Sequence, residues 1–424
     1  MATTVTTPAV SPGVITHRKN ILDLTAAELA ALRDAFNKVY QINDDRGYQY
    51  HAGIHGYPLP IHCQHGNPLF AVWHRPYLYL FEKALQDQVP GVAIPYWDWT
   101  AAEAQTNGLP KAYIDQTYQD SAGQTKPNPL LQADIKFQGT EYNQTSRDPG
   151  TLSTLRTLAR MVTGAQAKSS YVSYSAALEN PHNGLHGFMG GTMGIIPYAA
   201  YDPIFWAHHA NVDRLFSEWQ AAHPSVQPPA SIMNTALGPF SMTVSQIWDM
   251  HKMGYDYVGK QSSLMGMLPM SATKFNAPVA SFSLSQIKPV IPKVELRFHK
   301  VKHPKNSFEI RVFLNQPDAN ASTPTENNPH YAGSLFVFGH GECGGDAGHC
   351  EPPETTRGPF DLRPPSHLTP MELSLDASEA VNAIAKTGST SDVTVTLVAV
   401  DHKGRQIEKP GIDFEGISLA APTE

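Results

Sequence analysis

Nine of the 19 histidines in this chain fall into two stretches. The first carries His51, His55, His62, His65 and His74, and the second carries His182, His186, His208 and His209. Neutral imidazole is a borderline ligand that suits copper, zinc, iron and nickel. Pockets built almost wholly from imidazole, with no carboxylate or thiolate sharing the load, narrow that choice towards copper. Two neighbouring copper ions, each held by three imidazoles, would leave open positions facing one another, and dioxygen could bind there. A zinc or iron hydrolase needs no such pair of all-histidine triads.

Such ligands must be projected from rigid elements. In ILDLTAAELAALRDAFNKVYQI, Thr25 and Glu28 stand at capping-box spacing, and Leu29, Leu32, Phe36, Val39 and Tyr40 form one stripe, so an amphipathic helix is expected. A second helix is expected from near Trp73, with His74, Leu78, Phe81 and Leu85 on one side and Pro76 in its first turn. Asn180 and Pro181 predict an N-cap and first residue, after which His182 and His186 share a face at i, i+4. Asp202 and Pro203 predict another helix start, and its inward stripe of Phe205, Val212, Phe216 and Trp219 lies between His208 and His209 in phase, so periodicity does not choose between them. The expectation is a four-helix bundle around a dicopper site.

Beyond Tyr257, helical periodicity gives way to alternation. VELRFHKV, SFEIRVFLN, GSLFVFGH, MELSLD and DVTVTLVAV all predict strands bounded by Pro, Gly, Asn and Asp. The predicted class is therefore α+β: a helical domain over residues 1–260, a linker over 261–290 and a β-sandwich over 291–424. A chain of 424 residues is long enough for this division. Its net charge of −7 and lack of Lys/Arg runs make nucleic acid and anionic membranes poor partners. No apolar run reaches membrane-spanning length, and MATTVTTPAVSPGVITHRKN does not follow the pattern of a secretory signal, so a soluble protein, cytoplasmic as written, is expected, with secretion left open. Three cysteines are too few for a disulfide framework.

The motifs AGIHGYP, C-x-H, LFxxWHRPYLxxFE, PHNxLHGFMGG and DPIFWxHHANVDRL, in that order, resemble the tyrosinase, catechol oxidase and haemocyanin family of type-3 copper proteins. The resemblance runs from residue 17, through RKNILDLT, to the pair Tyr255 and Tyr257. It implies His55, His65 and His74 as ligands of one copper and His182, His186 and His209 as ligands of the other. It thereby favours His209 over His208. The loop from His55 to His65 is shorter than is usual in the family, which keeps His51 and His62 as alternatives to His55.

The same resemblance implies a thioether between Cys63 and His65, two residues on, which would remove a rotamer from that ligand. The plainer reading of Cys63 is a buried thiol. Glu179 and Asn183 match positions that hold a water able to take a phenol proton. Otherwise, Glu179 is a first-turn carboxylate and Asn183 a helix-surface amide. Asp213 is a candidate to orient a neighbouring side chain, with a salt bridge to Arg75 or Arg214 as the alternative. Met193 to Pro197 would line the site entrance, although Met193 and Ile195 also suit a core. His340, Cys343, His349 and Cys350 gather donors that could take Cu(I), beside the simpler reading of a disulfide or free thiols. The implied activity is O2-dependent hydroxylation of small monophenols, oxidation of o-diphenols to o-quinones, or both. A haemocyanin-like oxygen binder, a latent enzyme shielded by the β-domain and an o-aminophenol oxidase are the alternatives. Oligomeric state is not legible in the sequence.

Overall fold

The computed structural model describes residues 15–58, 60–120, 122–137, 140–258, 280–282, 293–342, 368–386, 393–407 and 413–420. Helix α1 (Ala26–Val39) starts at its capping box: Thr25 Oγ1 accepts from the Glu28 N–H at 3.2 Å, and the Glu28 carboxylate accepts from the Thr25 N–H at 2.8 Å. Helix α2 (Tyr48–His55) is only eight residues long and has no side-chain cap, so nothing in its sequence announces it.

Helix α3 (Phe70–Gln88) begins three residues before Trp73, which places Pro76 inside the helix and not in its first turn. Its start is set upstream, where Asn67 Oδ1 accepts from the Leu69 N–H at 2.8 Å. Nearly every residue from Phe70 to Phe81 is buried, and this packing outweighs the hydrogen bond that proline forfeits. Helix α4 (Leu152–Gln166) buries Leu155, Leu158 and Val162.

A larger correction falls on helix α5 (Tyr171–Met189), which does not start at Asn180 but carries Pro181 in its interior. Its first turn is held by Ser170 Oγ, which accepts from the Ser173 N–H at 3.3 Å, and Tyr171, Tyr174 and Leu178 supply a buried stripe ahead of the proline. Helix α6 (Pro203–Ala222) starts as expected, with Asp202 accepting from the Ile204 N–H at 3.1 Å.

Strands β1 (Thr16–Arg18) and β2 (Tyr255–Tyr257) pair in parallel and bring the two ends of the helical region together. From them, Arg18, Tyr255 and Tyr257 enter a buried charge network. Arg18 grips Glu82 of α3 in two-point fashion at 3.0 and 3.2 Å. Arg75 Nε, also on α3, donates to Asp213 Oδ1 of α6 at 2.7 Å, and the Tyr255 and Tyr257 hydroxyls donate to Asp213 Oδ2 at 2.6 and 2.7 Å. Of the two partners open to Asp213, Arg75 is the one that pairs, whereas Arg214 turns to Asp98 and Glu218. Burial opposes ionisation of Asp213, but Arg75 and Arg18 overcome it and hold the carboxyl below its usual range.

All five expected C-terminal strands form, and two more join them. Strands β3 (Ala280–Phe282), β5 (Phe308–Leu314), β6 (Tyr331–Val337) and β8 (Val393–Val400) make one antiparallel sheet in the order β3-β8-β5-β6. Strands β4 (Glu295–Val301), β7 (Met371–Asp376) and β9 (Gly416–Ala420) make a second, in the order β9-β4-β7. Leu296 and Phe298 from one sheet and Val312, Val395 and Leu397 from the other share a core, with Val381 and Ile384 of helix α7 (Ser378–Lys386). Of the segment expected as a linker, Ala280–Phe282 is described, and it pairs with Val393–Val395.

Two compact units result. The first holds the described residues up to Asp148, Leu152–Leu185 and Gly191 to 258; the second holds Pro149–Thr151, His186–Gly190 and the described residues from 280 onward. Among the described residues, no helix is long and apolar enough to cross a membrane.

Removing one partner from a buried ion network leaves the others uncompensated and typically costs about 3–5 kcal/mol. Asp213→Asn should therefore lower the thermal unfolding midpoint by roughly 6–12 °C. An unchanged midpoint by circular dichroism would show that the network does not secure the helical unit.

Candidate metal centre

Helices α2, α3, α5 and α6 and the α2–α3 loop bring the histidine-rich segments to one buried place. His55 is the last residue of α2, His74 lies on α3, His182 and His186 lie on α5, and His208 and His209 lie on α6. Three sets have donor atoms within 4.8 Å of one another: His182, His186, His208 and His209; His55, His74 and His209; and His55, Cys63 and His65. Nitrogens bound to one metal at roughly 2 Å stand no more than about 4 Å apart, so these sets are close to coordination spacing.

Of the three residues open for the first ligand position, the structure brings His55 into these groups. Among the described residues, His51 and His62 join none of them. His51 is buried beside Phe81, with ring centroids 5.6 Å apart. His208 is disfavoured by the resemblance, yet it lies with His182, His186 and His209, its ring stacked on that of His182 at 5.0 Å and 20°. Helical phase placed His208 and His209 on either side of the inward stripe, and both are fully buried.

Two histidines have their tautomers set by a neighbouring acceptor. The backbone carbonyl of Phe70 lies 2.8 Å from His74 Nδ1, which must donate to it, and this leaves His74 Nε2 as a buried lone pair with no hydrogen-bond partner among the described residues. Asn183 Oδ1 lies 2.9 Å from His182 Nδ1 and fixes that ring in the same way. His182 Nε2 then meets His209 Nε2 at 3.3 Å. Ring nitrogens converging in this way suit a shared cation.

Burial also sets protonation. It pushes His74 down to about 4 and His55 and His208 well below the usual imidazole range, with the His74 charge adding to the last two. These rings are neutral at physiological pH, the state in which imidazole ligates a metal. The donor set fits a borderline metal held by nitrogen, and copper in particular.

Three other predicted residues surround the cluster. Glu179 Oε1 accepts from the Gly66 N–H at 2.6 Å. Burial pushes its carboxyl up to about 8, against the lowering effect of that hydrogen bond. Asn183 is committed through Oδ1 to His182. Cys63 is a buried thiol whose Sγ lies 3.5 Å from His65 Nδ1, a contact and not a bond, and burial raises its pKa. Met193 and Ile195 are buried, as core residues are. His340 packs against His303 with ring centroids 4.2 Å apart, whereas Cys343, His349 and Cys350 lie outside the described residues. Phe338, which sequence reasoning had counted only as a strand residue, stacks on the His186 ring at 4.2 Å and 23°, both residues falling in the second unit.

Residues 45–222 match the family described as Tyrosinase: Common central domain of tyrosinase. The chain is 38% identical over 217 residues to "Hemocyanin 2" of Megathura crenulata, an alignment that covers 48% of this chain but only 6% of that much longer protein. The fold is that of a functional unit from octopus hemocyanin, with a TM-score of 0.65 at 23% identity, covering 96% of this chain and 100% of the other. It is equally that of a tyrosinase from Burkholderia thailandensis, with a TM-score of 0.65 at 18% identity, covering 90% and 94%.

A ligand that binds only the folded state raises its stability by about 2.7 kcal/mol at a hundredfold excess over Kd. Copper added to metal-free protein should thus raise the melting temperature by several degrees. His74→Ala and His182→Ala should each remove most of that rise, and His62→Ala should keep it. Equal responses from all three variants in differential scanning calorimetry would place the metal elsewhere.

Proposed function

We propose that this chain is a phenol oxidase of the type-3 copper family, holding two copper ions. His55, His65 and His74 would hold one copper, and His182, His186 and His209 the other. When bound, the pair would supply dioxygen binding, insertion of one of its oxygens into a small monophenol, and two-electron oxidation of an o-diphenol to the o-quinone. Carriage of oxygen needs no group to take a proton from a phenol. The observation that carries the enzymatic reading is therefore Glu179.

A carboxyl with a pKa near 8 in the metal-free protein is poised to exchange a proton close to neutral pH. The Gly66 N–H anchors one of its oxygens, and Asn183 stands one helical turn further along α5. We assign to this pair the holding of a water that relays the phenol proton to Glu179. Asn183 has a second duty through Oδ1, keeping His182 in the tautomer whose Nε2 faces the metal.

The proposed thioether replaces the Cys63 S–H and a His65 ring C–H with a C–S bond, and two protons and two electrons pass to dioxygen. Close approach of sulfur and ring, at 3.5 Å, supports it. Mass spectrometry of copper-loaded protein should find the peptide with Cys63 and His65 lighter by two hydrogens and inert to thiol alkylation; full alkylation would refute the bond.

A second reading, oxygen binding without phenol turnover, has an observation of its own. Phe338 lies flat on His186, where an incoming phenol ring would stack. Assays of copper-loaded protein with tyramine and catechol, before and after limited proteolysis, separate the two readings. We expect quinone from both substrates, faster by about tenfold or more after proteolysis or in Phe338→Ala. Glu179→Gln should lower tyramine hydroxylation by about 10²- to 10⁴-fold and catechol oxidation far less. If neither substrate is oxidised under any of these conditions with copper bound, the chain is an oxygen binder.

A further inference from the structure

The second unit carries a constellation that copper chemistry does not use. Ser418 on β9, His299 on β4 and Glu372 on β7 stand on three adjacent strands. Ser418 Oγ lies 2.7 Å from His299 Nε2, and His299 Nδ1 lies 2.7 Å from Glu372 Oε2.

A bulge produces this alignment. Between Phe298, opposite Leu373, and Val301, opposite Met371, strand β4 has one residue more than β7, so His299 and Lys300 together face Glu372. Lys300 takes φ = 52°, a left-handed conformation uncommon for a residue with a side chain. In return its N–H donates to Glu372 Oε1 at 3.1 Å. Both carboxylate oxygens are thereby engaged, and Glu372 is fixed against the imidazole.

A carboxylate only accepts, so His299 Nδ1 carries the proton and, in the neutral ring, Nε2 presents its lone pair to the Ser418 hydroxyl. Nucleophile, base and orienting acid thus stand in the order that activates a serine. The residue paired with His299 on β9 is Gly416, and a Cβ added there would meet nothing within 4 Å among the described residues, so these leave space beside the imidazole. Directly opposite Ser418 is Arg297, with a half-exposed guanidinium.

We propose that Ser418, His299 and Glu372 form a hydrolytic relay that acts on small activated esters. His299 Nε2 takes the Ser418 proton as Oγ bonds to the ester carbonyl carbon, and the carbonyl π pair moves to oxygen beside Arg297. The pair returns, the C–O bond to the leaving group breaks, and the departing alkoxide or phenolate takes the proton from Nε2. Water, deprotonated by the same nitrogen, then cleaves the acyl-serine and restores the hydroxyl. Ser418 and His299 are the catalytic residues, and Glu372 positions His299.

The full-length chain, copper-free and copper-loaded, would be treated with a fluorophosphonate probe and, separately, with 4-nitrophenyl acetate. We expect a phosphonyl adduct mapped by peptide mass spectrometry to Ser418, in both forms. Nitrophenolate release should fall at least tenfold in Ser418→Ala and His299→Ala, and Glu372→Gln should lower kcat with little change in KM. The adduct in the unaltered chain needs no variant to fold. No adduct, an adduct on another side chain only, or an undiminished rate in Ser418→Ala would overturn the proposal and leave the phenol oxidase reading untouched.

Discussion

Four buried charges hold the helical unit in place. Arg18, Arg75, Glu82 and Asp213 are all buried, and taking such groups out of solvent is costly unless each is paired and hydrogen-bonded. Here the cost is offset by geometry: two-point contact of Arg18 on Glu82, a short bond from Arg75 to Asp213, and two tyrosine hydroxyls on the remaining oxygen. Arg75 follows His74 in sequence, and Asp213 lies one helical turn beyond His209. Fixing Arg75 on Asp213 therefore fixes the axial register of α3 against α6, and the rings of His74 and His209 come to 4.3 Å. The approach of these two rings follows from this charge pairing.

The same low-dielectric interior sets the chemistry of the groups inside it. Desolvation penalises whichever form is charged, so one cause lowers the imidazoles and raises Glu179. Neutral rings are ready to ligate, and a carboxyl near 8 is ready to move a proton. Backbone and amide acceptors then choose the tautomers of His74 and His182, which burial alone would leave undetermined.

A structure named as a hemocyanin and one named as a tyrosinase share this fold, so the fold does not choose between the two readings. Glu179, able to accept a proton, and Phe338, lying on the His186 ring, weigh in opposite directions.

Much of the site was legible in the chain, because ligand chemistry restricts residue type and helical projection restricts spacing. The i, i+4 pair His182 and His186, the caps at Thr25 and Asp202, and the five alternating strands all rest on local rules, and local rules are written in sequence. Prolines misled where packing won: Pro76 and Pro181 lie inside helices because buried faces on either side outweigh one missing hydrogen bond. The pairing of Asp213 with Arg75, the stack of Phe338 on His186 and the Ser418, His299 and Glu372 array involve residues far apart in the chain. A one-residue bulge in β4 creates the last of these, and register is settled only when strands pair. The sequence by itself determined which donors and acids this protein possesses and on which helical faces they stand. Only the tertiary structure decided which of them meet, because that depends on the burial and strand register that follow when distant segments pack.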